Sequence, residues 1–204
     1  MDSYSDPRQN RPMRMRIELG VLSVALLFAS SPVRAAGEAD VQTTQIAEEG
    51  SNIAWGQAVG VIDKPIAEVL PVVLDYANYV HFMPNFTKSK VLAQRGHRAM
   101  VYMEVSVASG TFTLWGQLTF SERAGDGEAR LVEARLVDGN MHAFSATWRL
   151  VPIDDGARTK VDFRIYVDPD MPLPSAIFSR ENEKAAAKTV RALRTRVIET
   201  ARRS

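Results

Sequence analysis

Residues 174–203 constrain this chain more than any other stretch, because they read as one long amphipathic helix. At about 100° per residue, Ala186, Val190, Leu193, Val197 and Ala201 form one stripe, and Arg180, Lys184, Lys188, Arg191 and Arg202 lie near the opposite side. A helix with such a stripe must bury it against another element. No helical pattern of comparable length precedes it. What precedes it is a run of alternating strands, so the expected partner is a sheet curved round the stripe.

The strands are legible from their period. Trp55, Gln57, Val59 and Val61 alternate with small residues, as a first strand does. Asp63, two residues before Pro65, suits a helix N-cap with proline in the first turn, predicting a short helix over Pro65 to Leu74. A second short helix is predicted from Asp75 to about Phe82, ended ahead of Pro84 because the residue before a proline avoids the α region. One strand falls near Thr87 to Ala93. Beyond it the inward sets are Val101, Met103, Val105 and Val107, then Phe112, Leu114, Gly116, Leu118 and Phe120, then Val132, Ala134 and Leu136. Phe144, Ala146, Trp148 and Leu150 follow, and last Val161, Phe163, Ile165 and Val167. Turns at Ser109-Gly110, residues 124–127, Asp138-Gly139 and residues 154–156 separate them. Short turns between consecutive strands predict antiparallel pairing with one apolar face. The predicted class is α+β: a curved antiparallel seven-stranded sheet wrapped round the C-terminal helix, with two short helices after the first strand.

The first 35 residues have a different character. Arg8, Arg11, Arg14 and Arg16 form a basic region, Leu19 to Ala29 is uncharged and mostly apolar, and Val33-Arg34-Ala35 places small residues where a signal peptidase needs them. The apolar run is shorter than the ~20 residues of a membrane span. Residues 1–35 are therefore read as a signal peptide cleaved after Ala35, residues 36–51 as a flexible leader, and residues 52–204 as one ligand-binding domain exported to the periplasm. Past residue 35, 20 basic residues face 21 acidic ones, which lacks the basic excess of a general nucleic-acid binder. The chain has no Cys, so disulfides, thiolate nucleophiles and Cys-based metal sites are all excluded.

Two stretches carry a family resemblance. Asp75-Tyr76-Ala77-Asn78-Tyr79-Val80-His81-Phe82-Met83-Pro84, continuing to Ser89-Lys90-Val91-Leu92, is one. Trp148-Arg149-Leu150-Val151-Pro152, followed by Thr159-Lys160-Val161 and by Asp168-Pro169 running to Pro174, is the other. With the order of elements, they resemble the START-like (SRPBCC, helix-grip) superfamily, and within it the polyketide cyclase/dehydrase and coenzyme Q-binding branch, over about residues 52–202. The resemblance implies a cavity between sheet and helix that takes a hydrophobic small molecule, of the lipid or isoprenoid quinone class. The matching motifs are structural markers, so no catalytic residue is carried over from them.

The helix stripe itself is uneven. Val190, Leu193 and Val197 suit close packing, whereas Ser175, Ser179, Asn182 and Ala186 are small or polar, with Phe178 at one margin. Interiors pack to near-crystalline density, so small groups opposite a sheet imply either a ligand cavity or side chains such as Met103, Phe144 or Trp148 reaching over to fill it. The predicted lining is Met103, Leu114, Leu118, Leu136, Phe144, Trp148, Phe163 and Ile165 from the sheet and Phe178 and Asn182 from the helix, under a lid of Tyr79, Phe82, Met83 and Phe86. A buried Asn182 amide would orient a ligand head or bond a neighbouring backbone group. His81, His97 and His142 are the only histidines and lack metal-binding spacing, so no metal and no cofactor is expected. His142 shares strand parity with Phe144 and Trp148, which makes it the weak candidate for an acid or base, paired with Asn182 or Glu104, should the alternative of a cyclase or dehydratase hold. The Arg180, Lys184, Lys188, Arg191 stripe reads as a solvated face or as a peripheral contact with anionic lipid. A docking module for a protein partner is the remaining reading.

Overall fold

The computed structural model describes residues 41–203; the expected signal peptide lies outside them, as do residues 36–40. The elements run β1 (Gln42–Ile46), β2 (Trp55–Ile62), α1 (Ile66–Leu74), a 3-10 turn (Tyr76–Asn78), α2 (Tyr79–Phe82), β3 (Phe86–Arg95), β4 (Arg98–Val107), β5 (Phe112–Ala124), β6 (Arg130–Gly139), β7 (Met141–Ile153), β8 (Arg158–Pro169) and α3 (Ser175–Ala201). All strands form one antiparallel sheet in the order β1-β2-β8-β7-β6-β5-β4-β3. This is the helix-grip architecture expected from the alternation and the terminal helix.

The sheet has eight strands rather than seven. The extra one, β1, lies in the stretch read as a flexible leader. Gln42-Thr43-Thr44-Gln45 are all exposed, so the strand shows no apolar alternation to read. It is an edge strand held from above: the Glu183 carboxylate of α3 accepts hydrogen bonds from Thr43 Oγ1 and Gln45 Nε2, both at 2.8 Å. Those bonds hold the Glu183 carboxyl below its ordinary value of 4.5, Gln45 contributing most. A depressed carboxylate pKa stabilises above the unfolded-state value and loses that contribution as pH falls through the folded one. Wild type is therefore expected to exceed Glu183→Ala in melting temperature at neutral pH, with the gap closing between about pH 5 and pH 3; a gap that does not change over that window would contradict the contact.

The start of α1 also departs from expectation. Its N-cap is Pro65, with no side-chain cap, and Asp63 instead faces Arg158 at 3.7 Å. The turn is secured by Thr159, fully buried, whose hydroxyl donates to the Lys64 carbonyl at 2.8 Å. The second predicted helix is split into the 3-10 turn and α2, which stops at Phe82 with Met83 extended ahead of Pro84.

On α3, Val190 and Leu193 are fully buried and Val197 nearly so. The helix lies on β1, β2 and β8, with α1 beside its C-terminal half. The inward face of β2 is Gly56, Ala58, Gly60 and Ile62, and the first three are small enough to admit the helix backbone. At Gly56 the approach is extreme: a Cβ there would stand 2.1 Å from the Asn182 carbonyl carbon and oxygen. α3 is thus pressed onto one side of the sheet, and β4 to β7 curve away beneath its other flank. β-Bulges at Thr87 and Leu92 on β3, at Val137 on β6 and at His142 on β7 help to bend the sheet.

Candidate ligand cavity

The uncovered half of the sheet encloses a cavity of about 910 Å³. Its floor comes from Met103 on β4, Leu114, Leu118 and Phe120 on β5, Ala134 on β6, Phe144, Ala146 and Trp148 on β7, and Phe163, Ile165 and Val167 on β8. Ile177, Phe178 and Asn182 on α3 form one wall, and Tyr79, Met83 and Phe86 close one end. Exposed residues also line it, namely Asn85, Ala108, Gly110, Leu173, Ile177, Glu181, Lys184 and Lys188. The cavity therefore reaches the surface between the β4–β5 turn and the N-terminal half of α3. A second hollow, of about 460 Å³, lies between α1 and the end of α3, where Glu68, Asp75 and Arg196 give it charged walls.

Of the fourteen residues named from sequence, Tyr79, Met83, Phe86, Met103, Leu114, Leu118, Phe144, Trp148, Phe163, Ile165, Phe178 and Asn182 line this space. Two do not. Phe82 turns to the other side of α2, edge-on to Tyr79, with the Arg196 guanidinium 5.5 Å from its ring centre. Leu136 faces inward opposite Leu118, but lies over Gly116 and Gly139, whose missing side chains leave it a seat. Residues not foreseen include Phe120, Ala134 and Ala146, which the same strand parity would have found, and Leu173 and Ile177, which flank the start of α3 and carry no periodic signal.

His142 is not in the cavity. It is exposed, and its Nε2 stands 3.3 Å from Asp170 Oδ1. The bulge between Met141 and Ala143 reverses the side on which this end of β7 presents its residues, so Met141 joins Phe144 at the cavity and His142 points away. Glu104 is on the outer face, where its carboxylate accepts the Tyr102 O–H at 2.6 Å and faces Lys88 at 3.4 Å. The Tyr102 bond, with Lys88 assisting, holds its carboxyl below the usual glutamate range.

Tyr79 is the phenol nearest the cavity, and its O–H donates to the Val73 carbonyl at 2.5 Å. Burial, reinforced by Tyr76 and Asp75, raises its pKa well above that of a free phenol. It stays neutral at physiological pH and acts as a structural donor. Asn182 and Ser179 together grip one residue of the sheet edge. The Ala54 N–H donates to Ser179 Oγ at 2.9 Å, and Asn182 Nδ2 donates to the Ala54 carbonyl at 3.0 Å. Small, polar groups in this half of α3 thus serve to clip the helix to the entry of β2. Among the described residues no three of His, Asp and Glu come together as a metal site, and no helix is long and apolar enough to cross a membrane.

Comparison with known proteins agrees with this geometry. The family model described as polyketide cyclase/dehydrase and lipid transport matches residues 62–194. No protein of curated function is detectably similar in sequence. Among solved structures, a STAR-related lipid transfer protein from Xanthomonas axonopodis superposes with a TM-score of 0.69 at 18% identity, covering 77% of this chain and 93% of that one. Human STARD10 superposes at 0.68 and 12% identity, over 79% of this chain and 70% of the other. The Zhui aromatase/cyclase from Streptomyces sp. R1128 superposes at 0.53 and 14% identity, over 72% and 94%. At these identities the structural likeness establishes the fold.

Proposed function

This chain belongs to the polyketide cyclase/dehydrase and lipid transport family, and from that footing we propose that it is an exported carrier that sequesters an apolar small molecule, of the lipid or isoprenoid quinone class, in the cavity beside α3. The observation that carries this reading is the cavity itself: about 910 Å³ walled by Met, Leu, Phe and Trp side chains. Burial of a ligand's hydrocarbon surface there would supply affinity at about 25 cal/mol per Å² before binding costs. The two acid–base candidates of the sequence lie outside it, His142 and Glu104 both facing solvent, and the charged lining residues Glu181, Lys184 and Lys188 are all exposed, which favours carriage over the cyclase or dehydratase alternative. The test is native mass spectrometry of protein purified from its own host. A co-purified apolar molecule, or uptake of added lipid or quinone, is expected; a ligand-free spectrum with no uptake would sink the proposal.

The Arg-rich start, the apolar run and Val33-Arg34-Ala35 support the export half of this proposal. Protein recovered from the periplasm should begin at Ala36, and an intact N-terminus in the cytosol would refute this.

Contact with an anionic membrane belongs to the same reading. Leu173 and Ile177 stand exposed at the mouth, 43% and 42% accessible, with Lys184 and Lys188 beside them. Lys184→Glu/Lys188→Glu should lower sedimentation with phosphatidylglycerol vesicles several-fold at low salt; undiminished vesicle binding argues against the contact.

A further inference from the structure

Two polar atoms of the cavity lining have no hydrogen-bond partner among the described residues. Asn182 is 3% exposed, and its amide nitrogen is committed to the carbonyls of Ala54 and Val167 at 3.0 and 3.4 Å. Both partners are acceptors, which settles which end of the amide is nitrogen and leaves Oδ1 as an acceptor without a donor. Trp148 is 4% exposed and rests on Phe163, with ring centroids 4.1 Å apart. Its Nε1–H meets no acceptor among the described residues. Both side chains line the cavity, and neither atom is sealed from accessible space. The Tyr79 hydroxyl, by contrast, is spent on Val73. The charged lining residues, Glu181, Lys184 and Lys188, are all at the exposed mouth.

The two atoms ask for complementary things. The amide oxygen needs an O–H or N–H, the indole needs a lone pair, and leaving either unmet under a bound apolar molecule forfeits a desolvated hydrogen bond. A hydrocarbon meets neither, and an ester or quinone carbonyl meets only the indole. An ionised head buried among Phe163, Phe178 and Trp148 would have no counter-charge, which is costlier still.

We infer that the cavity selects a neutral, largely apolar molecule whose buried end carries a free hydroxyl, donating to Asn182 Oδ1, with that oxygen or an adjoining one accepting from Trp148 Nε1. The inference rests on the proposed carrier function and narrows it: a hydroquinone or other hydroxylated lipid fits, and a fully oxidised quinone does not.

Fluorescence titration with pyrenebutanol and its methyl ether separates the cases, because both probes carry an acceptor oxygen and only the alcohol carries a donor. Wild type should bind the alcohol about 10-fold tighter than the ether. Trp148→Phe keeps a ring on Phe163 and loses the N–H, so it should weaken both probes several-fold and preserve their ratio. Asn182→Ala should bring the ratio towards one, and because it also removes the Ala54 clip, the wild-type ratio and Trp148→Phe carry the test if it fails to fold. Equal affinity for alcohol and ether in wild type overturns the hydroxyl selection while leaving an apolar carrier standing. Unchanged binding of both probes to Trp148→Phe overturns the indole's part. Uptake of neither probe overturns the inference and the carrier reading together.

Discussion

Replacing Gly56 with alanine is expected to cost the domain about 3 kcal/mol, a large share of the stability of a protein this size. The added Cβ would sit 2.1 Å from the Asn182 carbonyl carbon and oxygen and 2.4 Å from the Glu183 amide nitrogen. All three are backbone atoms of α3, so no rotamer change relieves the overlap and the helix itself has to lift. Lifting it strains the Ser179 and Asn182 bonds to Ala54 and the Glu183 bonds to β1 at once. Gly96 is the control: it has φ +56° in the β3–β4 turn, and a Cβ there meets nothing within 4 Å. Alanine at Gly96 should cost only about 1 kcal/mol, from backbone conformation alone. Urea denaturation of both variants measures the difference, and a Gly56→Ala midpoint equal to that of wild type would mean that the helix does not lie on the β2 backbone.

Ala146→Phe is expected to do the reverse, abolishing ligand uptake with little loss of stability. Ala146 pairs with Ala134 across β6 and β7, and both small side chains face the cavity floor. A phenyl ring placed there enters empty space and gains contacts with the walls, so the melting temperature should hold or rise. The same volume is lost to the ligand, and affinity should fall at least about 10-fold, since a displaced ligand forfeits several kcal/mol of apolar burial. Leu193→Phe provides the contrast. Leu193 is fully buried against the sheet, and enlarging it overpacks a filled core at about 1–3 kcal/mol without touching the cavity. Undiminished uptake by Ala146→Phe would place the ligand elsewhere.

The general form of the molecule was readable because period-two alternation and the α3 stripe are direct imprints of burial. Val101, Leu118, Val132, Leu150 and Val161 alternate with more exposed neighbours because one face of their sheet is wet, and Val190, Leu193 and Val197 repeat helically because they share the buried side of α3. The losses came where a local irregularity interrupts a period. One extra residue at the Met141–Ala143 bulge was enough to send His142 outward. β1 carries no apolar alternation, since its hold on the fold is a carboxylate on another element. Most consequential, the small size of Ser179 and Ala186 predicts room for a ligand, whereas small size at Gly56, Ala58 and Gly60 on the facing strand signals intimate contact; of the sparse set only Asn182 borders the cavity. The void lies to the side of that contact. A one-dimensional pattern records how large a residue is, and says little about whether its smallness makes room for a ligand or for a neighbouring backbone.

The off-centre seat of α3 divides the labour of the domain between strands. β1 and β2 take the helix, and substitutions there cost stability; β8 serves both, packing on α3 and lending Phe163, Ile165 and Val167 to the cavity floor. β4 to β7 face the cavity, where Ala134, Ala146, Met103 and Leu114 border space rather than a packed partner. Changes on those strands can reshape the hold on a ligand while the clamp that keeps the chain folded stays intact. A lineage built on this plan can therefore exchange one cargo for another by small steps, without passing through sequences too unstable to survive.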